Sequence, residues 1–218
     1  MIAIREQTIN RILNEKIIAI LRGIYGEECL RLADALRAGG ISLIEVTFDQ
    51  ARPENHKSAA EAIRALGARF GEDVLAGAGT VMSEAQLEAA AEAGARYIIS
   101  PDANPKIIRA TRDMGLVSLP GALTPTEMAA AHDAGADFVK LFPAASLGSG
   151  YLKAIHAPLN HVRILAVGGI TEDNLREFID AGACGAGVGG NLANKEWIRA
   201  GRFDKITEAA KKYVSIVK

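Results

Sequence analysis

Apolar positions recur along this chain in two registers. Runs of consecutive aliphatic and β-branched residues, first Ile17-Ile18-Ala19-Ile20-Leu21, predict parallel strands covered on both faces. A strand with one wet face would alternate apolar and polar side chains instead. Further runs of this kind lie at Leu43 to Thr47, Val74 to Ala76, Tyr97 to Ile99, Leu116 to Ser118, Phe138 to Leu141, Ile164 to Val167 and Cys184 to Val188. Between them the pattern predicts helices near Glu27 to Ala38, Pro53 to Leu66, Ser83 to Ala93, Pro105 to Met114, Thr124 to Ala134, Gly150 to Ile155 and Thr171 to Ala181. A leading helix over Ile4 to Asn14 and an amphipathic final helix over Phe203 to Val217 complete the set.

Three helices end in Ala-Gly-Ala, at Ala93-Gly94-Ala95, Ala134-Gly135-Ala136 and Ala181-Gly182-Ala183, where glycine can take the left-handed cap. Eight strands alternating with helices at a spacing of roughly 25 residues predict one domain over residues 1–218, an α/β (β/α)8 TIM barrel with an N-terminal leading helix. A doubly wound open sheet has the same alternation and is the competing architecture.

Composition narrows the function classes. Hydrophobic residues are 49% and charged residues 23%, ordinary for a globular domain, and the net charge of −1 gives no basic field for nucleic acid or an anionic membrane. The first residues, Met1 to Gln7, carry charges where a secretory segment needs an apolar run, and no stretch approaches the roughly 20 apolar residues that span a bilayer. Cys29 and Cys184 are too few for a disulfide framework or a zinc site, so a reduced cytoplasm is expected. His56, His132, His156 and His161 have no ligand spacing, and no metal or cofactor is expected.

The candidate chemistry centres on Lys140, flanked by Val139 and Leu141 with Phe138 and Phe142 beyond and stopped by Pro143. Burying an ammonium costs several kcal/mol unless it loses its proton or finds a partner, and an amine held neutral is a nucleophile toward carbonyl carbon. The plain alternative is a strand-end lysine snorkelling to water. In barrels of this type catalytic groups sit at the C-terminal strand ends. Those ends here are rich in polar groups and glycine: Arg22-Gly23, Glu45-Val46-Thr47, Gly77-Ala78-Gly79-Thr80, Ser100-Pro101, Leu119-Pro120-Gly121, Lys140, Gly168-Gly169 and Gly189-Gly190-Asn191.

Alternation turns Leu43, Glu45 and Thr47 into the barrel and Ile44 and Val46 toward the helices. An inward carboxylate is either one half of a structural ion pair with Arg22 or Lys140, or a general base that titrates jointly with the lysine. Gly77-Ala78-Gly79-Thr80 reads as a turn offering close backbone approach and a hydroxyl. Thr171 reads as the N-cap of the next helix, and the Gly168-Gly169 and Gly189-Gly190 pairs after strands 7 and 8 suggest an anion cradle.

Six motifs in order, Ile18-Ala19-Ile20-Leu21-Arg22-Gly23, Ile44-Glu45-Val46-Thr47, Gly77-Ala78-Gly79-Thr80-Val81, Ile99-Ser100-Pro101, Phe138-Val139-Lys140-Leu141-Phe142-Pro143-Ala144 and Ala166-Val167-Gly168-Gly169-Ile170, closely resemble the 2-keto-3-deoxy-6-phosphogluconate/4-hydroxy-2-oxoglutarate (KDPG/KHG) aldolase family. The resemblance implies a metal-free class I aldolase, a carbon–carbon lyase without cofactor, assembled as a homotrimer, that cleaves a small-molecule 2-keto-4-hydroxy acid to pyruvate and an aldehyde. It implies Lys140 as the Schiff-base lysine, Glu45 as the general acid/base and Thr80 as the carboxylate-holding threonine. Ser100, Pro101 and Phe142 would line the pyruvate pocket, and Gly168, Gly169 and Gly190 would form the phosphate turns.

Two positions depart from the family pattern. Many members carry an arginine two residues after the Glu-Val-Thr threonine, where Asp49 stands here. In the branch acting on the galactonate epimer an arginine ends strand 1, a role Arg22 fits. Asn191 stands where some members have a phosphate-contacting serine. The expected substrate is KDPG, with the 6-phosphogalactonate epimer and 4-hydroxy-2-oxoglutarate as the other candidates. A sugar-phosphate isomerase or epimerase using Glu45 and Lys140, and a non-catalytic phosphate-binding barrel, are the competing functions.

Overall fold

The computed structural model describes residues 2–218. A leading helix α1 (Ile2–Glu15) precedes β1 (Ile17–Leu21), α2 (Gly26–Ala38), β2 (Leu43–Thr47), α3 (His56–Phe70), β3 (Leu75–Gly79), α4 (Glu84–Glu92), β4 (Tyr97–Ile99) and α5 (Pro105–Asp113). The second half runs β5 (Val117–Leu119), β6 (Gly121–Ala122), α6 (Pro125–Asp133), β7 (Val139–Leu141), α7 (Ala144–Leu147), α8 (Ser149–His156), β8 (Ile164–Val167), α9 (Leu175–Asp180), β9 (Gly185–Val188), α10 (Lys195–Arg199) and α11 (Phe203–Val217). Single-turn 3-10 helices at Pro53–Asn55 and Gly71–Asp73 flank α3.

All pairings are parallel, in the order β5-β4-β3-β2-β1-β9-β8-β7-β6. The two ends of that list are consecutive in the chain, separated by Pro120 alone. Proline has no N–H for a ladder, so Pro120 interrupts one barrel strand: β5 pairs with β4, and β6 pairs with β7 in the register Gly121↔Lys140. The sheet therefore closes into an eight-stranded barrel, which excludes the open doubly wound sheet.

Two apolar layers fill the molecule. Ala19, Leu21, Ile44, Val46, Ala78, Val139 and Leu141 face outward into the shell between strands and helices. Ile18, Leu43, Leu75, Tyr97, Phe138 and Leu165 face inward, and Ile9 and Ile12 of α1 join them, so the leading helix plugs the N-terminal end of the barrel. Arg5 of α1 pairs with Asp137 just before β7, and Arg11 bonds Glu15 and the Ser42 hydroxyl before β2, which fixes the plug to the rim. Among the described residues, no helix is long and apolar enough to cross a membrane.

Two expectations need correction. Gly77, Ala78 and Gly79 are not a turn but the second half of β3, for a reason given below. Thr171 does not cap a helix: its amide donates to Asn174 Oδ1 at 2.8 Å, Asn174 Nδ2 donates to the Gly169 carbonyl at 2.9 Å, and α9 starts only at Leu175. Helices α7 and α10, of 4 and 5 residues, are too short to leave a periodic signal.

Candidate active site

A cavity of about 550 Å3 opens at the C-terminal ends of the strands. Arg22, Glu45, Lys140, Phe142, Gly168, Gly169, Gly190 and Asn191 all line it, so eight sequence-selected residues meet in one space. Ile20, Val167 and Gly187 form its apolar wall, and Asn194, Lys195 and Glu196 stand at its edge. The strand ends did not single out these last residues, since Lys195 and Glu196 lie beyond the Gly-Gly-Asn motif in a short helix.

Lys140 does not snorkel. It is only 7% exposed, on the middle of β7, and its Nζ lies 4.8 Å from the centroid of the Phe142 ring. Burial pushes its pKa below that of an ordinary lysine; Glu45 opposes the shift and Arg22 adds to it. The Phe142–Pro143 peptide is cis, and the chain turns there into α7.

Glu45 is 2% exposed and pairs in register with Ile20 on one side and Gly77 on the other. Among the described residues it makes neither an ion pair nor a side-chain hydrogen bond, so the structural ion-pair reading fails. Burial raises its pKa, with Lys140 and then Arg22 partly offsetting the rise. Each group is thus displaced toward its neutral form, the condition in which one can attack a carbonyl and the other can both give and take a proton.

The glycines of β3 explain how a carboxyl group fits inside a barrel. A Cβ added at Gly79 would lie 1.9 Å from Glu45 Oε1, and one at Gly77 would lie 2.1 Å from the Tyr97 ring. These residues are glycine because other side chains occupy their space. On the opposite wall Gly168 and Gly169 have φ of 93° and 75°, values that L side chains resist, while Gly189 and Gly190 face open space. Among the described residues, the amides of Gly169, Gly190 and Asn191 donate to no protein acceptor, which suits an anion. Neighbouring amides are already used: Leu192 and Ala193 donate to the Gly189 carbonyl, and Glu196 and Trp197 to Asn194 Oδ1. The Asn191 side chain donates one N–H to the hydroxyl of Tyr213 in α11 at 2.9 Å.

Arg22 is exposed at the end of β1 and forms no ion pair among the described residues. Asp49 lies outside the cavity lining, its carboxylate accepting from the Ala51 amide at 3.0 Å. Thr80, Ser100 and Pro101 also lie outside that lining, one position past β3 and just past β4. Ser100 is 4% exposed and donates its hydroxyl to the Val81 carbonyl at 2.6 Å. Among the described residues there is no cluster of His, Cys, Asp and Glu that could hold a metal ion.

Comparison with known proteins agrees with this geometry. A family model described as KDPG and KHG aldolase matches residues 8–209. The chain is 37% identical over 177 residues to the 2-dehydro-3-deoxy-6-phosphogalactonate aldolase of Escherichia coli strain K12, covering 81% of this chain and 83% of that one. It is 32% identical over 217 residues to the 2-dehydro-3-deoxy-phosphogluconate aldolase of Haemophilus influenzae, with 98% of each chain covered. The KDPG aldolase of Legionella pneumophila, solved with pyruvate captured at low pH as a covalent carbinolamine intermediate, superposes with a TM-score of 0.84 at 29% identity over 94% of this chain and 97% of that one. With a family model spanning nearly its whole length, this chain belongs to the KDPG and KHG aldolase family.

Proposed function

We propose that the chain is a class I aldolase in which Lys140 forms the imine and Glu45 moves the protons, cleaving a 2-keto-4-hydroxy acid, in the first instance KDPG, to pyruvate and glyceraldehyde 3-phosphate. The observation that carries this reading is a buried amine and a buried, unpaired carboxyl group opening into one cavity that ends in glycine turns.

The neutral Lys140 amine attacks C2 of the keto acid, and the carbinolamine loses water to give a protonated imine. Glu45 accepts the C4 hydroxyl proton, the C3–C4 bond breaks, and its electron pair moves into the imine to give an enamine as the aldehyde leaves. The proton returns to C3, and hydrolysis of the imine frees pyruvate and Lys140. Arg22 and Thr80 hold the C1 carboxylate, with Ser100, Pro101 and Phe142 around the pyruvyl unit. The turns at Gly168, Gly169 and Gly190, with Asn191, take the phosphate.

A second substrate reading has its own support. Arg22 lines the cavity while Asp49 does not, the arrangement of the branch acting on the 6-phosphogalactonate epimer, and an E. coli relative carries that name. The active form is proposed to be a homotrimer, by family resemblance, in the reduced cytoplasm that the two free cysteines suggest; a solution mass equal to that of one chain would refute the trimer.

Borohydride reduction in the presence of pyruvate tests the chemistry. A stable pyruvyl adduct on Lys140, located by peptide mass analysis, is expected. An isomerase or a non-catalytic barrel gives none, and absence of the adduct would sink the imine. Relative cleavage rates on KDPG, its galactonate epimer and 4-hydroxy-2-oxoglutarate then identify the substrate.

A further inference from the structure

Just past β3 the backbone does something that β-branched residues avoid. Thr80 has φ of 58°, in the left-handed region where a branched side chain is a true outlier. Such a residue costs about 1–3 kcal/mol and persists only where its surroundings over-determine it.

Here they do. Gln50, in the loop after β2, donates from Nε2 to the Thr80 carbonyl at 2.7 Å. Its Oε1 accepts from Gln86 Nε2 at 3.1 Å, and Gln86 Oε1 accepts from the Met82 amide at 2.8 Å. Two side-chain amides in series therefore grip the backbone on both sides of Val81. Val81 is itself held at both ends, its amide donating to the Ile99 carbonyl at 3.2 Å and its carbonyl accepting from Ser100. Gln86 is 5% exposed in the first turn of α4, whose N-cap Ser83 accepts the Gln86 amide at 3.3 Å, so the helix start fixes where its side chain begins. A glycine at position 80 would need no such support; threonine does, and what threonine adds is a hydroxyl.

We propose that Gln50 and Gln86 are positioning residues for the keto-acid carboxylate: they hold Thr80 in its left-handed conformation and thereby aim its hydroxyl, without touching substrate themselves. The inference rests on the carboxylate role proposed above for Thr80.

The test is borohydride trapping of pyruvate on Lys140, read as a half-saturating pyruvate concentration and a limiting rate. Gln86→Met and Gln50→Ala should each raise the half-saturating concentration about tenfold, the scale of a hydrogen bond to a charged group, with limiting rates within about twofold of the parent, and Thr80→Ala should raise it at least as much. Gln86→Met should add nothing in the Thr80→Ala background, where no hydroxyl remains to be aimed. Gln86→Glu, which keeps an oxygen for the Met82 amide, should recover part of the affinity. Gln50 is exposed, so Gln50→Ala carries the test should Gln86→Met fail to fold. If Thr80→Ala weakens capture but the glutamine variants do not, or if the double variant is additive, the brace is refuted while the Thr80 role stands. A fall in melting temperature at unchanged half-saturation equally refutes it. If Thr80→Ala itself has no effect, the carboxylate role falls, and the brace with it.

Discussion

Lys140 and Glu45 each hold the other back. The carboxylate favours the ammonium, burial and Arg22 disfavour it, and the balance lies below the ordinary lysine value. The free amine is the reactive form, so labelling of Lys140 by a neutral acylating reagent should rise with pH through a midpoint lower than that of a surface lysine. Glu45→Gln removes the one influence that raises the amine's pKa, so its midpoint should move to lower pH. Arg22→Ala removes a cation that disfavours a second positive charge, and its midpoint should move to higher pH. Identical midpoints in all three proteins would mean that the groups do not feel one another. The inward carboxylate was legible in the sequence because strand alternation is strict. The strained Thr80 was not, since Gln50, which bonds its carbonyl, lies 30 residues before it, and Gln86 reaches Gln50 only through the fold.

Among the elements, β3 is the most informative. Its glycines read as a turn, because glycine usually marks places where the chain must bend. Their actual reason lies in the neighbouring strands: Tyr97 on β4 fills the space beside Gly77, and Glu45 on β2 fills the space beside Gly79. No local pattern carries that information. The two positions should separate on substitution. Gly77→Ala forces a buried ring aside and should lower unfolding free energy in urea by about 1–3 kcal/mol, the range for overpacked cores, with kcat less affected. Gly79→Ala drives the carboxyl group from its seat and should lower kcat about 100-fold or more, the scale of a lost general acid/base. Comparable kcat losses in the two would show that the space beside Gly79 is not what seats Glu45. The strands themselves were easy to find, as β1, β2, β4 and β8 match their apolar runs residue for residue. The start of α9 was not, because the Thr171–Asn174 hydrogen bond delays it in a way that helix propensity does not encode.

For the whole molecule, closure and the plug are what the chain alone left open. Alternating strands and helices suit a barrel or an open sheet equally, and only the pairing of β6 with β7 beyond Pro120 decides between them. The leading helix was visible as a helix, but not as the floor of the barrel. Ile12, fully buried against the inner layer, gives that floor a test: Ile12→Ala should cost about 2–5 kcal/mol of stability by urea unfolding while leaving kcat within about twofold at a temperature where the variant is folded. A large kcat loss in a folded variant would tie the floor to the chemistry.

The plug also bears on the order of events. With α1 stoppering its base, the barrel opens at the strand C-termini, and on the proposed chemistry the pyruvyl unit would be anchored there by a covalent bond while the aldehyde is free. On the imine chemistry proposed above, carbon–carbon cleavage precedes hydrolysis of the imine, so the aldehyde is expected to leave before pyruvate and, in the synthetic direction, pyruvate to bind first.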